Sequence, residues 1–199
     1  MKVSVCLPVH PMADRNYFFK RVMDSIERQT FKDYEVVITE EGKMAKNTNA
    51  AIKKAKGDII KILYMDDYFA HDQALQTIVD NFKGGWLATG CIHNDRKRLL
   101  NPHFPSWSEG IKQGVNTIGS PSVVAFENDN PLLFDENLSW LLDCELYTRL
   151  YKRYGQPAIF NDVNVVIGIG EHQMTHILTD EEKKKEVEYM LNLSGVFWD

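Results

Sequence analysis

Cysteine is scarce in this chain of 199 residues, and the three present, Cys6, Cys91 and Cys144, are an odd number with no C-x-x-C spacing. That pattern argues against a disulfide or zinc framework and suits reduced thiols in a cytosol-like compartment. Long apolar runs are missing as well. No stretch reaches membrane-spanning length, and the N-terminal apolar run is too short for a signal peptide. The expectation is a soluble, cytoplasmic protein, with membrane contact at most peripheral and through Arg96-Lys97-Arg98. Nor is positive charge in excess: a net charge of -5 and a pI near 5.7 count against nucleic acid as a partner. The loop after the first strand, Pro8-Val9-His10-Pro11-Met12, is neither glycine-rich nor basic, so it is no phosphate-binding loop. Repeats, low-complexity segments and flexible linkers are also lacking.

What remains is an ordinary globular composition, 44% hydrophobic and 26% charged, in a chain long enough for one substantial core. Apolar residues cluster over 3–9 as in a buried strand, and Phe19, Val22, Met23 and Ile26 then recur at helical spacing. A second strand at 35–39 ends in Glu40 and Glu41, and a helix at 47–56 stops at Gly57. The central strand occupies 57–63. A one-sided helix follows through Leu75, Ile78, Val79 and Phe82, then a strand at 86–93 and a patternless stretch over 95–119. Beyond it the sequence predicts a strand at 122–126, a helix at 138–154, strands at 159–160 and 163–169, and a last helix over 180–193. That helix opens with a capping box, Thr179 and Glu182. Alternating strands and helices of these lengths predict an α/β fold, one domain with a mostly parallel central sheet flanked by helices.

The chain is organised around Tyr64-Met65-Asp66-Asp67, where the central strand runs out into two adjacent carboxylates. Open α/β sheets bind ligands at the carboxyl ends of their strands. A hard cation, Mn2+ or Mg2+, prefers carboxylate oxygens and keeps substrate phosphates among its other ligands, so a nucleoside diphosphate compound is the first expectation. The plainer reading is that Asp66 and Asp67 cap a following helix.

The order of strand, Pro8, helix, strand with terminal acids, Asn49-Ala50-Ala51-Ile52, Ala55-x-Gly57-Asp58-Ile59-Ile60 and Leu63-x-x-Asp66-Asp67 resembles family 2 glycosyltransferases of the GT-A fold. Farther on, Trp140-x-x-Asp143-x-x-Leu146-x-x-Arg149-Leu150 before Gly155 looks like that family's acceptor-side helix. The resemblance covers most of the chain. It implies a single GT-A-type domain in which residues 1–95 bind a nucleotide-sugar donor, 96–178 bind a carbohydrate or other hydroxyl acceptor, and 179–199 form a C-terminal helix and tail. It further implies Asp66 as metal ligand, Asp67 as its helper, and His172 as a metal ligand or diphosphate contact. Pro8 and His10 would line the base pocket and Glu40 would accept from base or ribose. Asn49 would cap a helix or reach the nucleotide. Tyr64 stands where the family usually has its first acid, and either stacks on the ribose or packs as a strand tyrosine. Asp143 would be the general base of an inverting transfer, with Arg149 paired to a phosphate or to Asp143 itself.

Trp107, in the long loop, either stacks on a sugar or anchors that loop. Two other functions stay in view: a sugar-nucleotide pyrophosphorylase, which would want the phosphate loop noted above as missing, and a nucleotide-sugar binder without turnover, which Tyr64 makes conceivable.

Overall fold

The computed structural model describes residues 1–197, and the side chains of residues 1–193; the last two positions of the expected tail lie outside the described residues. A single sheet runs through the molecule. Its strands are β1 (Val3–Pro8), β2 (Tyr34–Thr39), β3 (Ile59–Ile62), β4 (Tyr68–Phe69), β5 (Trp86–Asn94), β6 (Leu99–His103), β7 (Val124–Glu127) and β8 (Ala158–Gly168). They are ordered β2-β1-β3-β7-β5-β8-β4, with β6 paired to β5. The pairs β1–β2, β1–β3 and β5–β8 are parallel, so β1, β2, β3, β5 and β8 share one direction while β7, β4 and β6 oppose it. Helices α1 (Arg15–Glu27), α2 (Met44–Lys54), α3 (Ala74–Asn81), α4 (Leu142–Tyr154), α5 (Met174–Ile177) and α6 (Asp180–Phe197) complete the layers.

β3 is buried on both faces, as its isoleucine-rich sequence demands: Ile59, Ile60 and Ile62 are fully inaccessible. Burial of each such side chain contributes about 1.5–3 kcal/mol. The same strand carries a fully buried lysine, Lys61. Gly57, which leads into β3, is required by proximity and not by helix capping, because a Cβ there would stand 2.7 Å from the Lys2 carbonyl oxygen.

The stretch 95–119 is not the featureless loop its sequence suggests. β6 folds back on β5 as a hairpin, and Trp107 stacks on Tyr151 at 3.9 Å between ring centroids, 5° from parallel, and stands perpendicular to Trp86 at 6.2 Å. Trp107 therefore anchors the loop. The expected helix at 138–154 begins only at Leu142. The two short strands at 159–160 and 163–169 are one strand, β8, with irregular register against β5 near Gly90. The Thr179–Glu182 capping box is formed: the Thr179 amide donates to the Glu182 carboxylate at 2.8 Å and the Glu182 amide to the Thr179 hydroxyl at 3.3 Å. In α6 Met190 is buried and Leu191 about half exposed.

Candidate active site

The acids after β3 sit in a turn, with the Asp67 amide donating to the Tyr64 carbonyl at 3.0 Å. The chain goes next into β4, and α3 starts only at Ala74 behind Gln73. Helix capping thus does not account for Asp66 and Asp67. Their turn is docked on the end of β8, where the Gly168 amide donates to Asp67 Oδ1 at 2.9 Å. Nothing but glycine fits there, because a Cβ on Gly168 would lie 2.2 Å from the Asp66 carbonyl oxygen. Gly168→Ala should lower the urea midpoint by the equivalent of roughly 1–3 kcal/mol, the usual cost of overpacking a filled site. An unchanged midpoint would contradict the docking.

That docking delivers the segment after β8 to the acids. His172 Nε2 and Asp66 Oδ2 meet at 2.8 Å although 106 residues separate them. Asp66, His172 and Asp143 line one cleft of about 270 Å3, together with His10, Tyr64, Asp67 and Trp140. An adjoining chamber of about 430 Å3 shares His10, Tyr64, Asp66 and His172 and is walled further by Pro8 and Met44. Five of the expected positions, His10, Tyr64, Asp66, Asp67 and His172, are thereby brought around Asp143, and Pro8 is brought to the adjoining chamber.

Two expected positions are not. Glu40 is half exposed and paired with Arg15 at 2.7 Å, outside the residues that line either space. Asn49 lies in mid-helix, since α2 begins at Met44 behind Lys43, so it caps nothing. Its side chain instead clamps the backbone of Phe134, accepting from the amide at 2.7 Å and donating to the carbonyl at 2.9 Å. Arg149 is likewise engaged elsewhere: it pairs with Glu145, a nearly buried acid on the far side of α4 from Asp143, and donates to the Leu133 carbonyl at 2.6 Å.

Burial shifts the ionisation of four side chains in the cleft. Asp143, in the first turn of α4, accepts from Asn116 Nδ2 at 2.6 Å and from the Cys144 amide at 2.7 Å. Burial outweighs these bonds and pushes its carboxyl up to about 6. Asp67 is buried and shifted well upward, by burial first and by the Asp66 charge second. Burial holds the His10 imidazole below its ordinary value, with Asp66 opposing. The Tyr64 hydroxyl is buried, and burial raises its pKa, with the Thr48 hydroxyl acting the other way.

Three contributors were not legible in the sequence. Asn116, in the irregular stretch, holds Asp143 while its carbonyl accepts from Ile118 and Gly119. Arg21 of α1 donates to the Asp66 carbonyl at 2.5 Å and lies 4.4 Å from the centroid of the Tyr68 ring. Gly168 closes the third gap.

Whether the cleft suits a divalent cation can be judged from its donors. Neighbouring ligands of an octahedral ion with bonds of about 2.1 Å stand roughly 3 Å apart. The 2.8 Å between Asp66 Oδ2 and His172 Nε2 is close to that spacing, and both atoms are competent ligands for Mn2+. Among the described residues no third His, Cys, Asp or Glu joins them. The pair fits an ion that takes its other ligands from water and substrate phosphates, as Mg2+ commonly does.

No protein-family profile matches the chain, and no curated protein sequence matches it. Solved structures do. The chain is similar to S. aureus TarS 1-349 in complex with UDP, with TM-score 0.66, 16% identity, and coverage of 99% of this chain and 72% of that one. The complex of TarS 1-349 with UDP-GlcNAc gives TM-score 0.70 at 17% identity, covering 94% of this chain and 64% of that one. A mannosyltransferase from Pyrobaculum calidifontis in complex with GDP-Man and Mn2+ gives TM-score 0.60 at 16% identity, covering 86% and 58%. The fold is shared. It is the single α/β domain of GT-A type, and identities this low carry that likeness and no more.

Proposed function

We propose that this protein is a glycosyltransferase that moves a sugar from a nucleotide-sugar, a UDP-sugar first, to a hydroxyl acceptor with inversion at the anomeric carbon. The observation that carries the reading is the common cleft lined by Asp66, His172 and Asp143. Asp143 is the general base. A carboxyl raised to about 6 is ionised at neutral pH yet more basic than an ordinary aspartate, which suits removal of a hydroxyl proton during transfer. Asn116 fixes the carboxylate's orientation, and the amide of Cys144 holds its other oxygen. Asp66 and His172 would hold Mn2+ or Mg2+, and such an ion when bound neutralises charge on a departing diphosphate.

Pro8, His10 and Tyr64 line the donor side. The donor half is then 1–95 and the acceptor half 96–178. The fold shared with proteins bound to UDP, UDP-GlcNAc and GDP-Man supports the donor class. Buried, unpaired Cys6, Cys91 and Cys144 support a reducing, cytoplasmic setting. Among the described residues no helix is long and apolar enough to cross a membrane.

Titration calorimetry with UDP, in the presence and absence of Mn2+, tests donor and metal together. Binding should tighten at least tenfold with the ion, and Asp66→Ala should cancel that gain while leaving the fold intact by circular dichroism. Tight UDP binding with no donor hydrolysis or transfer by the parent would favour a binder without turnover. No UDP binding under either condition would refute the proposed function.

A further inference from the structure

α4 begins without a local cap: Leu141 occupies the N-cap position and offers no side-chain acceptor. The first amides of a helix have no partner inside it, and a Ser, Thr, Asn or Asp ordinarily supplies one. In the first turn the Asp143 carboxylate takes the Cys144 amide, and the amides just ahead of the helix find their acceptor 45 residues and more away. The Glu186 carboxylate of α6 receives the amides of Ser139 at 2.8 Å, Trp140 at 2.9 Å and Leu141 at 2.9 Å. Those three residues lead directly into the turn that bears Asp143, and Ser139 and Trp140 line the cleft beside it.

Glu186 itself is not among the lining residues, so it touches neither donor nor acceptor. α6 is well placed to present it. Its first turn is fixed by the Thr179–Glu182 box, and one turn beyond Glu186 the Tyr189 hydroxyl donates to Asp135 at 2.8 Å and Met190 is buried. Lys183 of the same helix lies 5.8 Å from the centroid of the Trp140 ring, whose indole N–H donates to Thr175 at 3.3 Å.

We propose that Glu186 is a positioning residue: by gripping three consecutive amides ahead of α4, it fixes the cleft wall that carries Asp143. The catalytic part of this inference rests on Asp143 being the base. Charge-assisted bonds to one carboxylate are short and directional, and releasing three at once frees the wall to move. A shift of about 1 Å in a reacting group can cost as much as a hundredfold in rate.

The test uses the full chain as Glu186→Gln, Glu186→Ala and Tyr189→Phe. Glu186→Gln, equal in length but neutral, should lower kcat for transfer roughly tenfold, and Glu186→Ala roughly a hundredfold. Donor KM and the affinity for UDP with Mn2+ should change several-fold less than kcat, because Ser139 is the one gripped residue that also lines the donor chamber. Tyr189→Phe loosens the same helix without touching the amides and should leave kcat unchanged. Hydrogen exchange at 139–141 should be slow in the parent and fast in Glu186→Ala, a readout independent of turnover. Unchanged exchange, or a loss of kcat in Tyr189→Phe equal to that in Glu186→Ala, overturns the proposal. A parent that transfers nothing but whose amides respond as described overturns the proposed function and supports the clamp.

Discussion

Asp143→Asn should abolish sugar transfer while leaving UDP affinity within about twofold of the parent. Asparagine keeps the shape, so the Cys144 amide still finds an oxygen, while the bond from the Asn116 amide is given up. What disappears is an acceptor for the hydroxyl proton. Loss of a positioned general base typically removes 10²–10⁴ in rate, and kcat should fall by about that much with donor KM little changed. The parent's kcat should decline on the acid side with a midpoint near 6, the value to which burial raises the carboxyl. Asn116→Ala should move that midpoint upward, since Asn116 donates to the charged form and its removal favours protonation.

The same raised pKa has a consequence for stability whose sign is fixed. A carboxyl whose folded pKa exceeds its unfolded one binds protons more tightly in the folded state, so the native state loses stability as pH climbs from about 4 to about 6. Asp143→Asn escapes that loss. Measured against the parent in urea, the variant should stand better at pH 7 than at pH 4. A variant that transfers at the parent's rate, or a kcat flat from pH 5 to pH 8, would remove Asp143 from the role of base.

How far the sequence announces this molecule depends on which interactions are periodic. β1, β2, β3 and the helices between them follow from apolar spacing, because each element buries one face or both against its neighbours. The acid pair was legible for a similar reason: a strand as apolar as Ile59–Ile62 has no structural need for carboxylates at its tip. Three things were not legible. The hairpin of β5 and β6 lacks alternation, since β6 is an edge strand with Leu99 more than half exposed and Asn101 in the left-handed region. Asn49 matched a familiar position, yet its amide is consumed by Phe134, a contact across 85 residues that no spacing rule encodes. Asn116 and Glu186 matter through backbone amides and a single carboxylate far along the chain, and neither leaves a periodic trace.

Lys61→Met should gain stability on the parent as pH falls from about 10 to about 7, because it removes an ammonium that burial holds below its ordinary value. Lys61 is fully inaccessible in β3, its ammonium donates to the Ser122 carbonyl, and Phe69 lies 6.0 Å away. Burial pulls the ammonium down to about 7, and the Asp67 charge acts the other way. An ammonium whose folded value lies below its ordinary 10.5 binds protons less tightly in the folded state than in the unfolded one. The parent therefore loses stability as pH falls through that window, and a methionine, which takes up no proton, does not. Against that gain stands the Ser122 carbonyl, which is left without its donor at every pH and lowers the whole curve of the variant by about 1–3 kcal/mol. Urea unfolding of parent and variant from pH 7 to pH 10 measures the difference directly. Two stabilities that run parallel across that range would show that Lys61 is not held as a disfavoured ammonium inside β3.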